Sequence, residues 1–356
     1  MKKIVKKLMA LFFVMVLLVV LFLALLTALE YVPDDIESLA IENNQSTQLT
    51  LDSEFSVMTF NIGYAGLGAA EDFVMDGGEK GRPDSKEVVE TYLSGVLSIM
   101  DEYPMDFYLM QEVDYQARRS YRINQVEAIH NHLGSNFGYH FALNFKAVFV
   151  PFPVSISDHI GYVESGLQTL SNKQVLNAER HQFPGAFSWP LRIANLKRGM
   201  IVTVIPIENT DRQLILVNVH MSAYDDGTMR EQEMGMLRDL MIEQYALGNY
   251  VIVGGDFNQT PPEAVGIYSP KQDYYIAHPI PEDYLPEGFS FQFDLTKPSC
   301  RLLNQPYDPI DSNTQYYIID GFIVSDNISV EMIETIDHGF AYSDHNPVIM
   351  TVRLKP

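Results

Sequence analysis

Cysteine is nearly absent: Cys300 is the only one in 356 residues, so the chain closes no disulfide on itself. Nowhere do Cys and His gather at the spacing of a structural zinc site. Positive charge is scarce too, with 24 Lys+Arg against 46 Asp+Glu and a net charge of −22. That balance counts against loose, counterion-driven binding to a nucleic-acid backbone. No acid occurs before Glu30, and four of the cations (Lys2, Lys3, Lys6 and Lys7) precede residue 8. The rest of the chain therefore carries 20 basic and 46 acidic side chains, a net of −26. A hydrophobic fraction of 47% against 20% charged residues excludes a disordered chain. No internal repeat is visible.

What is present begins with an uncharged run from Leu8 to Leu29, 22 residues rich in Leu, Val and Phe. As a helix rising about 1.5 Å per residue it spans about 33 Å, enough for the hydrocarbon core of a bilayer. It is longer than the usual ~7–15-residue apolar stretch of a cleaved signal peptide. Its end, Thr27-Ala28-Leu29-Glu30, is a poor cleavage site. The expectation is a cytoplasmic stub (1–7), an uncleaved single-pass transmembrane anchor (8–29), an acidic juxtamembrane linker (30–54) and a catalytic domain (55–356). Lysines before the run, and Glu30, Asp34, Asp35 and Glu37 after it, put the N-terminus in the cytoplasm and the domain outside. An outside protein without disulfides suits a Gram-positive-type bacterial surface.

Pro33 to about Glu54 shows no sustained periodicity and reads as a tether holding the domain off the membrane. Phe55–Ile62 has strand length and composition. Gly63–Asp84, with six glycines, is a long loop of the kind that often serves function. Val89, Tyr92, Leu93, Val96, Leu97 and Met100 recur at helical spacing. Phe107–Met110 reads as a buried strand closed by Gln111-Glu112. Residues 140–200, rich in Phe and Pro, read as long insertions around a strand at Gly166–Ser171. Further strands are expected at Met200–Ile207, Leu214–Val219, Tyr250–Val253, Tyr317–Val324 and Pro347–Leu354, with a helix over Thr228–Leu247. Strands dominate and the order is mixed, which fits two packed sheets flanked by helices.

Polar residues gather at the ends of those strands: Asn61, Glu112, His220, Asp256 with Asn258, Asp320, and Asp344-His345. One such residue alone is more often a turn former. Several on separate strands meet where two packed sheets share a rim. Glu112 and Asn61 offer hard oxygen ligands of the kind Mg²⁺ prefers. Asp256 can take a proton from an attacking water, and Asn258 can orient that water or a phosphoryl oxygen. His220 and His345 can donate hydrogen bonds to phosphoryl oxygens, with Asp320 fixing the His345 tautomer. Together these groups suit metal-assisted, in-line phosphoester hydrolysis.

The motifs Met58-Thr-Phe-Asn-Ile62, Gln111-Glu-Val-Asp114, Asn218-Val-His220, Gly255-Asp-Phe-Asn258, Ile319-Asp-Gly-Phe-Ile-Val-Ser325 and Ser343-Asp-His-Asn-Pro-Val348 stand in that order. In this the chain resembles the endonuclease/exonuclease/phosphatase superfamily, which includes pancreatic-type deoxyribonucleases, apurinic endonucleases, inositol-polyphosphate phosphatases and neutral sphingomyelinases. The resemblance covers about residues 55–354 and implies a four-layer α/β sandwich, two packed central β-sheets with helices outside. It implies metal binding at Glu112 with Asn61 nearby, and catalysis by His220, Asp256, Asn258, Asp344 and His345, with Asp320 supporting His345. Asp344 is placed with Asn61 and Glu112 in the metal set. Mg²⁺ is the expected cofactor, with Mn²⁺ and Ca²⁺ as alternatives. Apurinic endonucleases carry Tyr where this chain has His220, which favours a sphingomyelinase- or deoxyribonuclease-like site.

The net of −26 weighs against a nonspecific nuclease, and a tethered site lies near lipid head groups. Phe149, Phe152, Phe183, Phe187 and Trp189 can meet an apolar substrate or the bilayer, or simply pack under loops. Arg118, Arg119, Tyr121 and Arg198 are candidates for holding substrate phosphate. The expected function is a membrane-anchored extracellular phosphodiesterase on a lipid-linked or small organophosphate, sphingomyelinase-like. The alternatives are a surface deoxyribonuclease or ribonuclease, and a non-catalytic binding module that retains the fold. A monomer is the default.

Overall fold

In the computed structural model, which describes residues 2–225 and 227–356, the apolar N-terminal run forms helix α1 (Lys2–Ala28). Among the described residues it is the one helix long and apolar enough to cross a membrane. Its large side chains from Ile4 to Phe22 are 43–64% exposed, and Leu26 alone is buried.

In chain order the strands of the two large sheets are β1 (Ile36–Ser38), β2 (Glu54–Asn61), β3 (Phe107–Ala117), β4 (Gly138–Val150), β5 (Gly161–Ser171), β6 (Asn177–Gln182), β7 (Gly199–Pro206), β8 (Gln213–His220), β9 (Tyr250–Asp256), β10 (Phe289–Gln292), β11 (Asp320–Ser325), β12 (Ile328–Thr335) and β13 (Val348–Leu354). One sheet has the order β1-β6-β7-β8-β9-β11-β10, the other β12-β13-β2-β3-β5-β4. Each holds a single parallel pair, β8/β9 and β2/β3, and every other pairing is antiparallel. A parallel pair needs a crossover, here helices α2 (Lys86–Glu102) and α4 (Thr228–Ala246).

The inner faces meet through Phe55, Val57, Leu109, Leu216, Ile252 and Phe322, so the main core lies between the sheets. Outside the six-stranded sheet, α2 and α3 (Gln125–Leu133) bury Val89, Val96 and Ile129 against Met58, Phe60 and Met110. Outside the seven-stranded sheet, α4 buries Met234, Leu237 and Met241 on Val217, Val251 and Val253. This is the four-layer sandwich expected from the sequence. The helices start where side chains satisfy free N–H groups. Ser85 Oγ accepts from Val88 N, and Asp225 Oδ2 accepts from Gly227, Met229 and Arg230 N.

Two expectations change. The segment read as a tether is laid along the domain: β1 pairs with β6, Leu49 is 3% exposed in the core, and Asn44 brackets both backbone groups of Val175. Its apolar anchors (Leu39, Ile41, Leu49 and Leu51) are spaced too irregularly to show a period. Residues 140–200 hold three strands rather than insertions around one. In β4 the face toward the second sheet carries His140, Ala142 and Asn144, while half-buried Tyr139, Phe141 and Leu143 point the other way, so polarity does not alternate as burial does.

His140 bridges the sheets, sharing a 2.7 Å hydrogen bond between its Nε2 and Thr203 Oγ1. Burial pushes its imidazole from 6.5 down to about 3. The unfolded chain therefore binds one more proton between those pH values, and stability falls as pH drops through that window. About 2 kcal/mol is expected to be lost between pH 6.5 and 5 from this residue. His140→Gln should flatten urea-unfolding stability against pH in that range relative to the parent; parallel curves would refute the assignment.

Candidate active site

Strand register assembles the rim. His220, Asp256 and Asp320 are lateral neighbours on β8, β9 and β11 of one sheet. Asn61 ends β2 of the other sheet, paired with Gln111, and Glu112 follows on β3. Asp344 and His345 lie in the turn just before β13. Asn61 Nδ2 lies 3.0 Å from Asp256 Oδ2, 3.4 Å from Glu112 Oε1 and 3.5 Å from His345 Nε2. His220 Nε2 is 3.4 Å from Asp256 Oδ2 and 4.0 Å from Glu112 Oε1. His345 Nε2 stands 3.7 Å from Asp256 Oδ2 and 4.0 Å from Asp344 Oδ2. Its Nδ1 is 2.8 Å from Asp320 Oδ2, which also accepts from Ser299 Oγ.

All eight residues that the sequence singled out as catalytic or metal-binding thus converge. Both asparagine amides are engaged on both sides: Asn61 Oδ1 accepts from Gly63 N at 3.0 Å, while Asn258 Nδ2 donates to Met221 O and its Oδ1 accepts from Tyr275 Oη. The Asn258 backbone N–H donates to Asp256 Oδ1 at 2.8 Å.

The backbone is bent to make this possible. Between Met110 and Val113 the β3/β5 register slips, and Glu112 sits in that bulge at φ 51°. A bulge re-aims a side chain, and a left-handed non-glycine residue costs on the order of 1–3 kcal/mol that the surroundings must sustain. Asn258 is also left-handed, at φ 50°, as are Gly63, Tyr64 and Ala65 beside Asn61. Gly255 has a steric reason: a Cβ there would lie 2.0 Å from Val219 O.

The charges are unequal. Burial, with Asp320 adding to it, lifts the Asp256 carboxyl to about 6. Asp344 is raised to about 7 by burial; His345 opposes that and Glu112 adds to it. Burial, together with the positive Arg198, holds His220 well below the ordinary histidine value. For His345, burial works against the charge, but Asp320, Asp344 and Asp256 outweigh it and raise the imidazole well above its usual value. The crowding of Glu112 and Asp344 in a buried site is what a divalent cation relieves, and their hard oxygens suit one. Cys300, beside Asp344 and His345, is a poor ligand because burial pushes its thiol up and keeps it protonated.

These groups form one end of a cavity of about 790 Å³. Of the phosphate candidates, Arg119 and Arg198 line it and Arg118 and Tyr121 do not. Arg119 is buried, paired with Asp114 at 2.9 Å and stacked 3.7 Å from the centre of the Tyr64 ring. Arg198 Nη1 donates to His220 O. Arg118 holds the backbone oxygens of Ser157 and His159, and Tyr121 Oη donates to Pro83 O. Sequence reading missed a further set. Asp76, from the glycine-rich loop, is buried in the cavity wall, bonded to Tyr224 Oη and Leu303 N. Arg301 reaches the carbonyls of Gly68 and Glu71 and clamps that loop. Asp76 stands in an Asp-Gly-Gly run that reads as a turn, and Arg301 carries no local signal.

A sandwich with carboxylates and imidazoles at one rim is the layout of the α/β phosphoester hydrolases. The chain belongs to the endonuclease/exonuclease/phosphatase family, whose model matches residues 58–345. Enzymes of that family hydrolyse phosphoester bonds and use divalent metal ions. Among solved structures, an endonuclease/exonuclease/phosphatase from Beutenbergia cavernae DSM 12333 aligns with a TM-score of 0.59 at 14% identity, covering 85% of this chain and 72% of the other. The human Nocturnin catalytic domain with bound sulfate anion gives 0.52 at 14%, covering 89% and 97%. D. rerio TDP2 complexed with single strand DNA product gives 0.50 at 15%, covering 85% and 100%. At these identities the likeness is one of fold. Sequence comparison with curated proteins returns no match.

Proposed function

We propose that the protein is a membrane-anchored, Mg²⁺-dependent phosphodiesterase whose substrate is a lipid-linked or otherwise apolar phosphodiester. The observation that carries this reading is the cavity itself. One end holds the acid and histidine cluster; the remaining wall includes Phe145, Phe149, Phe183, Phe187 and Ile193. A phosphate with an apolar substituent matches both ends, whereas a polynucleotide strand needs a basic track along its backbone.

In this reading Asn61, Glu112 and Asp344 hold the cation, which supplies charge neutralisation at the phosphoryl group. Asp256, its carboxyl raised to about 6 and mostly ionised at neutral pH, accepts the proton of the attacking water. The water oxygen bonds to phosphorus and the ester bond opposite it breaks. Neutral His220 and positively charged His345 donate hydrogen bonds to the phosphoryl oxygens, and Asp320 fixes the His345 ring. Asn258 keeps Asp256 in place through its backbone N–H. The lysines in the first turns of α1 favour, by the positive-inside rule, a domain on the outer face of the membrane.

The test is the full-length protein assayed against a phospholipid panel, plasmid DNA, RNA and nucleotides, with Mg²⁺ and with EDTA. Metal-dependent head-group release from lipid, with DNA cleaved far more slowly, is expected. DNA nicking at a comparable rate would replace this reading with a surface nuclease. Inertness on every substrate would leave a binding module.

A further inference from the structure

The cavity has a second end, and helix α1 forms part of it. Phe22, Leu23 and Leu26, from the last two turns of α1, lie in the cavity wall. The contact is specific. Trp189 Nε1 donates to Thr27 Oγ1 at 3.1 Å, and Phe22 meets Phe149 edge-on at 6.1 Å between centroids. Glu30, its side chain 5% exposed, receives Lys197 Nζ at 2.8 Å and Arg192 Nε at 3.3 Å. From Phe22 to Ala28 is about 9 Å of helix, so the domain reaches roughly that far down the apolar segment.

At the same level two loops hold apolar side chains in the open. Val154 and Ile156 are each 97% exposed, Leu191 60% and Trp189 53%. Clustered apolar exposure of this kind marks a surface that something covers. Tryptophan with a hydrogen-bonded N–H favours the membrane–water interface. The charged residues lining the cavity are those of the rim and its neighbours, whereas Val150, Pro151, Phe152, Val154, Ile160 and Leu191, which also line it and are near in sequence to the Phe149 and Trp189 that touch α1, carry no charge. Such a two-ended cavity matches an amphiphile with a phosphate head.

Resting on the phosphodiesterase reading of the rim, we propose that this second end is a lateral entrance for a membrane lipid. The hydrocarbon chain of the substrate passes from the outer leaflet between α1 and the loops carrying Val154 and Leu191. It then lies along Phe149, Phe145 and Ile193 while its phosphodiester reaches Asp256 and His345. The occupant is a lipid because α1, one side of the entrance, is itself a surface that only hydrocarbon covers along its length. The anchor is thus a wall of the site as well as a tether.

The full-length protein in nanodiscs of phosphatidylcholine carrying a diazirine on one acyl chain tests this without turnover. Photolysis is expected to label Phe145, Ile160 or Ile193, which are 6–7% exposed and unreachable from the bilayer except through the cavity. Label confined to the outer face of α1 overturns the entrance. In a second measurement, Leu26→Trp and Ile193→Trp narrow the passage. The ratio of long-chain phospholipid hydrolysis to bis(p-nitrophenyl) phosphate hydrolysis is expected to fall by at least about tenfold. An unchanged ratio overturns the entrance, as does a proportional loss on both substrates. A parent protein that cleaves neither substrate defeats the phosphodiesterase reading alone, and the labelling still decides the entrance.

Discussion

His345→Ala is expected to lower kcat by about 10²–10⁴ while leaving the fold intact. The imidazole sits among Asp320, Asp344 and Asp256, whose combined charge keeps it protonated against the cost of burial. In the proposed mechanism that places a fixed positive donor where negative charge builds on phosphorus, at a residue 7% exposed. The fold does not depend on it. Asp320 Oδ2 keeps its bond from Ser299 Oγ, and Ser299 Oγ still accepts from Ile319 and Asp320 N. The measurement is steady-state kinetics on a phosphodiester beside thermal unfolding, with added imidazole as a rescue. Loss of near-UV circular dichroism in the variant would make His345 structural, and a kcat within tenfold of the parent would remove it from the chemistry.

The second large effect concerns the metal. Titrating Mg²⁺ into the full-length protein is expected to raise its thermal midpoint, by the equivalent of about 2.7 kcal/mol at a hundred times the dissociation constant. Glu112→Gln should abolish that rise and most of the activity. Without metal the same variant is expected to be at least as stable as the parent. Glu112 raises the Asp344 carboxyl by like-charge repulsion, and the amide removes that repulsion. The two stability curves therefore cross as Mg²⁺ increases. A Glu112→Gln protein that keeps both the Mg²⁺-dependent shift and full turnover would refute the assignment.

The rim was the most legible part of the chain. Asn61, His220, Asp256, Asp320 and His345 each stand at or beside the end of a strand whose apolar run is visible in the sequence, and two packed sheets bring such ends together; Glu112, read as closing its strand, lies instead in a bulge midway along β3, which runs on to Ala117. Legibility failed where burial and polarity part company. Strand β4 turns His140 and Asn144 inward, so its alternation cannot be seen. Short β1 has too few residues to show a period and owes its place to pairing with β6. Arg118 and Arg119 are adjacent in sequence, yet one supports a loop and the other lines the cavity, because successive side chains point in different directions. No local signal marks Asp76 or Arg301, which depend on contacts more than two hundred residues apart.

The pinning of Glu30 between Lys197 and Arg192 has a kinetic consequence. With α1 in a bilayer, the domain does not swing on a leash but drifts with its mouth held at one height and one tilt. If the substrate is the proposed membrane lipid, encounters with it are then two-dimensional. On that reading the rate is expected to follow the mole fraction of substrate in the leaflet, so that diluting the membrane with inert lipid slows turnover while diluting the whole suspension does not.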